Sequence, residues 1–230
     1  MAVTRNLTDQ YEKWIMTPQG LYFDEKIKEL MITCLHLKTG EKILQVGSGT
    51  GRHLRYLQEL GLEPTGIEPV EELNKLARQK EGIDGKRVIT GFAEKLPFED
   101  ASFDSVVFMT TFEYVDDKSK ALLEAFRVSR GKVGIGFLNR TGVTNLLRQF
   151  NREGLYKDAR FFSGGELIKL CEKNLLNEID NIEISVKYSL FLPLRFAHYV
   201  QWVDDLLEKI NLPFGNYGML VIKKKKKAGK

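Results

Sequence analysis

Between residues 42 and 138 short apolar runs alternate with segments of helical period, and this alternation limits the possible folds more than any other feature. KILQV (42–46), TGI (65–67), RVITG (87–91), DSVVFM (104–109) and GKVGIGFL (131–138) read as strands. RHLRYLQEL (52–60), VEELNKLARQ (70–79) and KSKALLEAFRVS (118–129) read as the helices between them. Several runs are continuously apolar, which marks strands covered on both faces and hence a mostly parallel sheet wrapped by helices. The expectation is a doubly wound α/β fold, whose ligand crevice opens at the carboxyl ends of the strands. Chemistry is therefore expected just after residues 46, 67, 91, 109 and 138.

The flanks follow another order. Residues 24–37 place Ile27, Leu30, Met31 and Cys34 on one helical face, with Gly40 ending the segment. After residue 139 come helices at 143–150 and from Ser163, a strand IEISVKY (182–188), a helix at 197–210 and a last strand GMLVI (218–222). Two late strands joined by a long connection suit an antiparallel edge hairpin. Ser163 with Glu166 three residues on forms a capping box. Val200, Val203, Leu207 and Ile210 share a helical face expected to pack on the sheet, the alternative being an apolar cap over a hydrophobic acceptor. Residues 1–222 read as one domain, with a lead-in at 1–23 and cap segments near 140–165 and 189–215.

Cys34 and Cys171 lie in apolar helical patterns with no metal spacing, and read as buried thiols of a cytoplasmic protein. No run reaches the ~18 apolar residues that span a bilayer. Lysines 223–227 and Lys230 account for the net charge of +4, and without them 29 basic residues face 31 acidic ones. Residues 223–230 are expected to form a solvated tail, an anionic surface being the alternative partner.

The crossover VGSGTGR (46–52) is rich in glycine, and Gly47, Gly49 and Gly51 tolerate positive φ and leave the backbone bare to a ligand. The helix that follows offers unpaired N–H groups to an anion. A dinucleotide fingerprint would have its third glycine at position 52, which is Arg52. A nicotinamide-dependent oxidoreductase is disfavoured accordingly. Glu68 ends the second strand, where a carboxylate can accept both hydroxyls of a ribose. After the third strand, Ala93 can offer its backbone N–H to a base edge, with Phe92 and Leu96 as apolar walls.

LQVGSGTG, TGIEP, GFAEKLPFEDASFDSVVF and LLEAFRVSRGKVGIG, in that order, resemble class I S-adenosylmethionine-dependent methyltransferases. The subgroup they resemble holds the C-methyltransferases of ubiquinone and menaquinone synthesis and many small-molecule enzymes. The resemblance implies a seven-stranded sheet with an antiparallel last strand and S-adenosylmethionine as cofactor. It further implies that Gly47, Ser48 and Gly49 line the methionine part, Glu68 holds the ribose, Phe92, Ala93 and Glu94 surround the adenine, and Thr110 stands beside the methionine portion. The chain departs from the family twice. Gln45 stands where the family usually has an acid near the cofactor's ammonium group, and Phe92 stands where a polar residue often reads the adenine.

Methyl transfer from a sulfonium needs alignment and dry surroundings, and a base only where the acceptor must lose a proton. MTTFEYVDD (109–117) carries no Asn/Asp-Pro-Pro-aromatic motif and the chain has no Pro-Cys, so nucleic-acid bases and protein amides are disfavoured as acceptors. A small molecule is expected, with cofactor binding without turnover as the alternative. Glu113, Tyr114 and His53 are candidates for a base. Tyr11, Trp14, Tyr22 and His198 are candidates for closing the site or holding the acceptor. For each of these residues ordinary packing is the competing explanation.

Overall fold

The computed structural model describes residues 5–148, 159–194, 199 and 201–225. Seven strands form one sheet: β1 (Lys42–Val46), β2 (Glu63–Glu68), β3 (Val88–Thr90), β4 (Phe103–Met109), β5 (Ser129–Leu138), β6 (Ile182–Ser189) and β7 (Tyr217–Lys224). Their order across the sheet is β3-β2-β1-β4-β5-β7-β6. The first five are parallel, and β7 inserts antiparallel between β5 and β6. The doubly wound sheet with an antiparallel last strand is the expected one.

Residues alternate across the sheet into two cores. Leu44, Val106, Phe108, Ile135, Leu220 and Ile222 face α5 (Lys118–Val128) and α7 (Gly164–Asn174). Ile43, Val107, Met109, Met219 and Val221 face α1 (Arg5–Ile15) and α2 (Pro18–Leu35). Burial of side chains this size stabilises the layers by ~1.5–3 kcal/mol each. Between β1 and β2 lies α3 (Arg52–Glu59), and between β2 and β3 α4 (Glu71–Gln79). The helix α6 (Val143–Arg148) follows β5, and α8 (Gln201–Ile210) precedes β7.

The second helix starts earlier than its apolar period suggests. The side chain of Thr17 accepts from Gly20 N, Pro18 takes the first turn, and a Cβ at Gly20 would lie 2.2 Å from Trp14 O. That contact lets α1 fold back tightly on α2. The helix ends at Leu35 because His36 turns left-handed (φ 47°), with the Lys132 ammonium on the carbonyl of Leu35, so Gly40 plays no part in stopping it. The capping box at Ser163 and Glu166 is formed as expected. Cys171 is buried, whereas Cys34 is only half-buried.

Two expectations are corrected. On α8 the fully buried residue is Asp204, which accepts from Tyr22 Oη (2.8 Å) and Leu192 N (3.0 Å), while Trp202, Leu206 and Ile210 are exposed. The inner face of α8 is thus fastened by polar contacts, with Val203 and Leu207 only half-buried; Val200 is outside the described residues. Tyr22 is drawn into this junction by its bond to Asp204. Second, Lys223 and Lys224 belong to β7. Lys224 Nζ donates to Phe126 O and Ser129 O, and Lys225 Nζ to Asp180 O, because the edge pairing with β6 continues to Ile182. This end of β7 is opposite the carboxyl ends of the parallel strands.

Glu113 braces the crevice end of the sheet from behind. It sits in a 3-10 turn after β4, is 1% exposed, and its Oε1 accepts from Leu138 N at 2.6 Å. Its Oε2 has no partner among the described residues, and burial pushes the carboxyl up to about 7 against the pull of its backbone donors. A carboxyl raised on folding favours the native state at low pH, and that contribution is lost as pH rises from its unfolded value through 7. We predict that Glu113→Gln, which keeps the acceptor for Leu138, matches wild-type stability near pH 4.5 and exceeds it by on the order of 3 kcal/mol at pH 8. Urea unfolding at both pH values measures the gap, and a gap that does not widen refutes it.

Candidate active site

A cleft of about 710 Å³ opens where β1, β2, β3 and β4 end. Its floor is the turn after β1, where Gly47, Gly49 and Gly51 all take positive φ (72°, 52° and 78°). These glycines serve different ends, which corrects the uniform reading of a bared backbone. A Cβ on Gly47 would strike the Thr111 side chain at 2.1 Å, and one on Gly51 would meet Ile83 at 2.7 Å and Ala77 at 3.1 Å. Only at Gly49 would it enter open space. Gly51 therefore performs the helix-packing task that a dinucleotide fingerprint gives to a glycine at position 52. The helix α3 that follows has no side-chain cap, so its N-terminus keeps its capacity for an anion.

Glu68, 7% exposed, ends β2 beside this turn. Its Oε2 accepts from Gly49 N (3.1 Å) and its Oε1 from Val70 N (3.2 Å). Burial raises its carboxyl above the ordinary value, and the two backbone donors oppose that rise. One acceptor site per oxygen is thus used and others remain.

The far lip comes from the segment after β3. Ala93 is buried and Phe92 is 64% exposed at the mouth. The Glu94 carboxylate is engaged with Asp116 N (3.1 Å) and Asp117 N (3.3 Å), tying this lip to the loop after β4. Thr110 lies on that loop in a left-handed conformation (φ 54°), and strain of this kind at a non-glycine residue recurs at ligand sites. Sequence reading found Thr110 but not its strain.

The N-terminal helix covers the opposite side. Tyr11 and Trp14 line the cleft with Phe23, Met109 and Tyr114. The Trp14 ring stands edge-on to Phe23 at 5.5 Å. Glu12 fastens α1 to Thr50 of the glycine turn and, at 3.5 Å, to Lys80. The other sequence candidates separate. Glu113 and Tyr22 do not line the cleft, and His198 lies outside the described residues. His53 reaches the cleft wall, but its Nδ1 faces Gln45 Nε2 at 3.5 Å and its Nε2 faces Asp24 Oδ1 at 3.4 Å. Of the three base candidates, Tyr114 and His53 line the cleft and Glu113 does not.

Two buried polar atoms on the cleft wall, Gln45 Oε1 and Ser48 Oγ, have no hydrogen-bond partner among the described residues. Buried polar atoms are almost always paired, so a pair of orphans beside open space at Gly49 fits a polar ligand laid along the turn. A nucleoside bearing an amino-acid tail meets these demands: a diol for Glu68, donors for the orphans and an anion for the α3 N-terminus. Asp24, which sequence reading did not single out, pairs with Arg52 of the cleft lining.

Comparison with known proteins agrees. Residues 44–133 match a family model described as a methyltransferase domain. An uncharacterized protein of Methanocaldococcus jannaschii is 28% identical over 82% of this chain and 94% of its own length. A demethylmenaquinone methyltransferase of Thermotoga maritima is 31% identical over 53% of this chain, and the match spans only 54% of that enzyme. A crystal structure from Thermotoga maritima, described as an S-adenosylmethionine-dependent methyltransferase and possible histamine N-methyltransferase, superposes with a TM-score of 0.69. It is 26% identical and the match covers 95% of this chain and 96% of that one. With the fold and the matched segment in agreement, residues 44–133 form a methyltransferase domain, and the chain shares the fold of an S-adenosylmethionine-dependent methyltransferase along nearly its whole length.

Proposed function

We propose that this protein methylates a small-molecule acceptor, with Glu68 holding the ribose of S-adenosylmethionine and the glycine turn holding its amino-acid part. The observation that carries the reading is a buried carboxylate at the end of β2, hydrogen-bonded to the one turn glycine that opens onto empty space. Ser48 Oγ and the α3 N-terminus receive the polar tail in this reading, with Gly47 shaping the turn and Thr110 standing opposite. Phe92 covers one adenine face, Ala93 offers its backbone, and Glu94 holds this lip in place through its bonds to the loop after β4.

The bound cofactor supplies a methyl group already activated by its positive sulfur. The task of the chain is then to align an acceptor and keep water out. Tyr11 and Trp14 exclude water from above, and Phe23, Met109 and Tyr114 form a largely apolar wall suited to a compact acceptor. A cleft covered by a helix favours a small molecule over a folded polymer. With Glu113 secluded, Tyr114 and His53 are the candidates that line the cleft beside an acceptor.

Glu68→Gln removes the charge that strengthens both ribose hydrogen bonds, each worth ~1.5–3 kcal/mol to an ionised acceptor. Calorimetry with S-adenosylhomocysteine should show a Kd ten- to a hundredfold higher than wild type. Unchanged affinity would refute the assignment of Glu68. Incubation of the protein with methyl-labelled cofactor and a metabolite extract should move label into low-molecular-weight products. Label in protein or nucleic acid refutes the acceptor class, and binding with no transfer anywhere refutes turnover.

A further inference from the structure

We propose that Lys118 and Arg160 form a binding site for an organic oxyanion, a carboxylate or phosphate group on an apolar body, in a cavity beside the cleft. The proposal does not depend on the cofactor reading. The cavity holds about 400 Å³ and lies between the start of α5 and the first turns of α7, with Asp116 shared between it and the cleft. Phe162, Leu167 and Leu170 supply its apolar wall. The end of β5 fixes Phe162 in place, because Phe162 N donates to Leu138 O at 3.3 Å and Arg140 N to Phe162 O at 2.8 Å. Arg160 is brought alongside by its own N–H, which donates to Glu113 O at 3.2 Å.

Two cations meet at this ring. Lys118 Nζ lies 5.7 Å and Arg160 Cζ 5.2 Å from the Phe162 centroid, each within reach of a cation–π contact. Among the described residues neither has a carboxylate partner: Lys118 Nζ donates to Val115 O, and the Arg160 guanidinium donates to none. Most of their N–H donors are therefore unspent, and a guanidinium fork matches the oxygens of a carboxylate or phosphate. Burial and the Arg160 charge lower the Lys118 ammonium below its ordinary value, and Asp116, Glu113 and Glu94 do not restore it. An oxyanion between the two cations would relieve this conflict. Ring contact alone accounts for either cation, but not for two like charges at one cavity with donors to spare. The acids of the lining are committed elsewhere, Asp116 excepted. Asp117 Oδ1 caps α5 by accepting from Lys120 N at 3.0 Å, and Glu166 is held by Ser163 N at 2.8 Å and by Arg140 at 3.1 Å. Asp116 is exposed on the rim, where its charge would oppose an anion.

The test titrates benzoate and phenyl phosphate into the full chain at low ionic strength while its amide NMR spectrum is recorded, with benzyl alcohol as the uncharged counterpart. Both anions should give saturable shifts at residues 117–119 and 160–167, and benzyl alcohol should bind about fivefold more weakly or worse. Arg160→Gln and Lys118→Gln should each weaken phenyl phosphate by about fivefold or more, in spectra that otherwise show an intact fold. Arg130→Gln, which removes the same charge at the start of β5, should leave it within about twofold. Asp116→Asn should tighten it by about twofold. Benzyl alcohol binding as well as benzoate, equal losses from Arg160→Gln and Arg130→Gln, or shifts confined to other parts of the chain would overturn the proposal. Inorganic phosphate binding as tightly as phenyl phosphate would overturn the apolar part of it.

Discussion

The cleft depends on how a left-handed turn is fastened to the strands on either side of it. Gly47 N and Ser48 N both donate to Ile67 O, at 2.7 and 3.1 Å, and Gly49 N donates to Glu68. On the other side Thr111 Oγ1 donates to Gly47 O at 3.3 Å. The turn is thereby joined to β2 and to the loop after β4, at the point where the strand order reverses direction. A side chain in this backbone conformation costs ~1–2 kcal/mol per residue, and at Gly47 and Gly51 it would also collide with protein. Space for a ligand at Gly49, the direction of α3 and the placement of Glu68 all follow from this one piece of stitching.

A second fastening explains why distant sequence segments belong together. The Glu124 carboxylate accepts from Leu96 N at 2.8 Å, and the Arg127 guanidinium donates to the carbonyls of Leu96 and Phe98. The two residues also pair with each other on α5. The lip carrying Phe92 and Ala93 is therefore held by a helix some thirty residues later. Buried backbone groups must find partners, and a loop with few of its own ladder bonds finds them in a helix side chain. AEKLPF and LLEAFR are two halves of one clamp.

What the sequence made legible and what it concealed divide along the range of the interactions. The five parallel strands and the helices between them follow from local apolar period and turn glycine, and the ends differ from expectation by a few residues. The position of Glu68 follows from topology alone, because a strand end in this fold lies at the crevice. The inner face of α8 was concealed because its determinant, the Tyr22–Asp204 bond, joins residues 182 positions apart. An aspartate beside a second one, Asp205, reads as solvated until its partner is known. Lys223 and Lys224 were concealed for a similar reason: a lysine run reads as a tail, whereas here the strand pairing carries it and carbonyls at Phe126 and Ser129 receive one ammonium. Asp24 offered no periodic signal, being one acid on a helix rich in charge.

The replacement of an acid by Gln45 makes physical sense once Asp24 is counted. A second carboxylate at position 45 would be a few bonds' reach from the first, in a pocket where both are buried, and like charges in such a place raise one another's pKa. Asp24 instead bears the charge where Arg52 and Lys28 can neutralise it. A neutral acceptor still discriminates, because leaving a buried donor or acceptor unpaired costs ~1–3 kcal/mol whether or not it is charged. His53 is set back from acid–base chemistry by its place in the wall, 8% exposed, with its Nδ1 against Gln45.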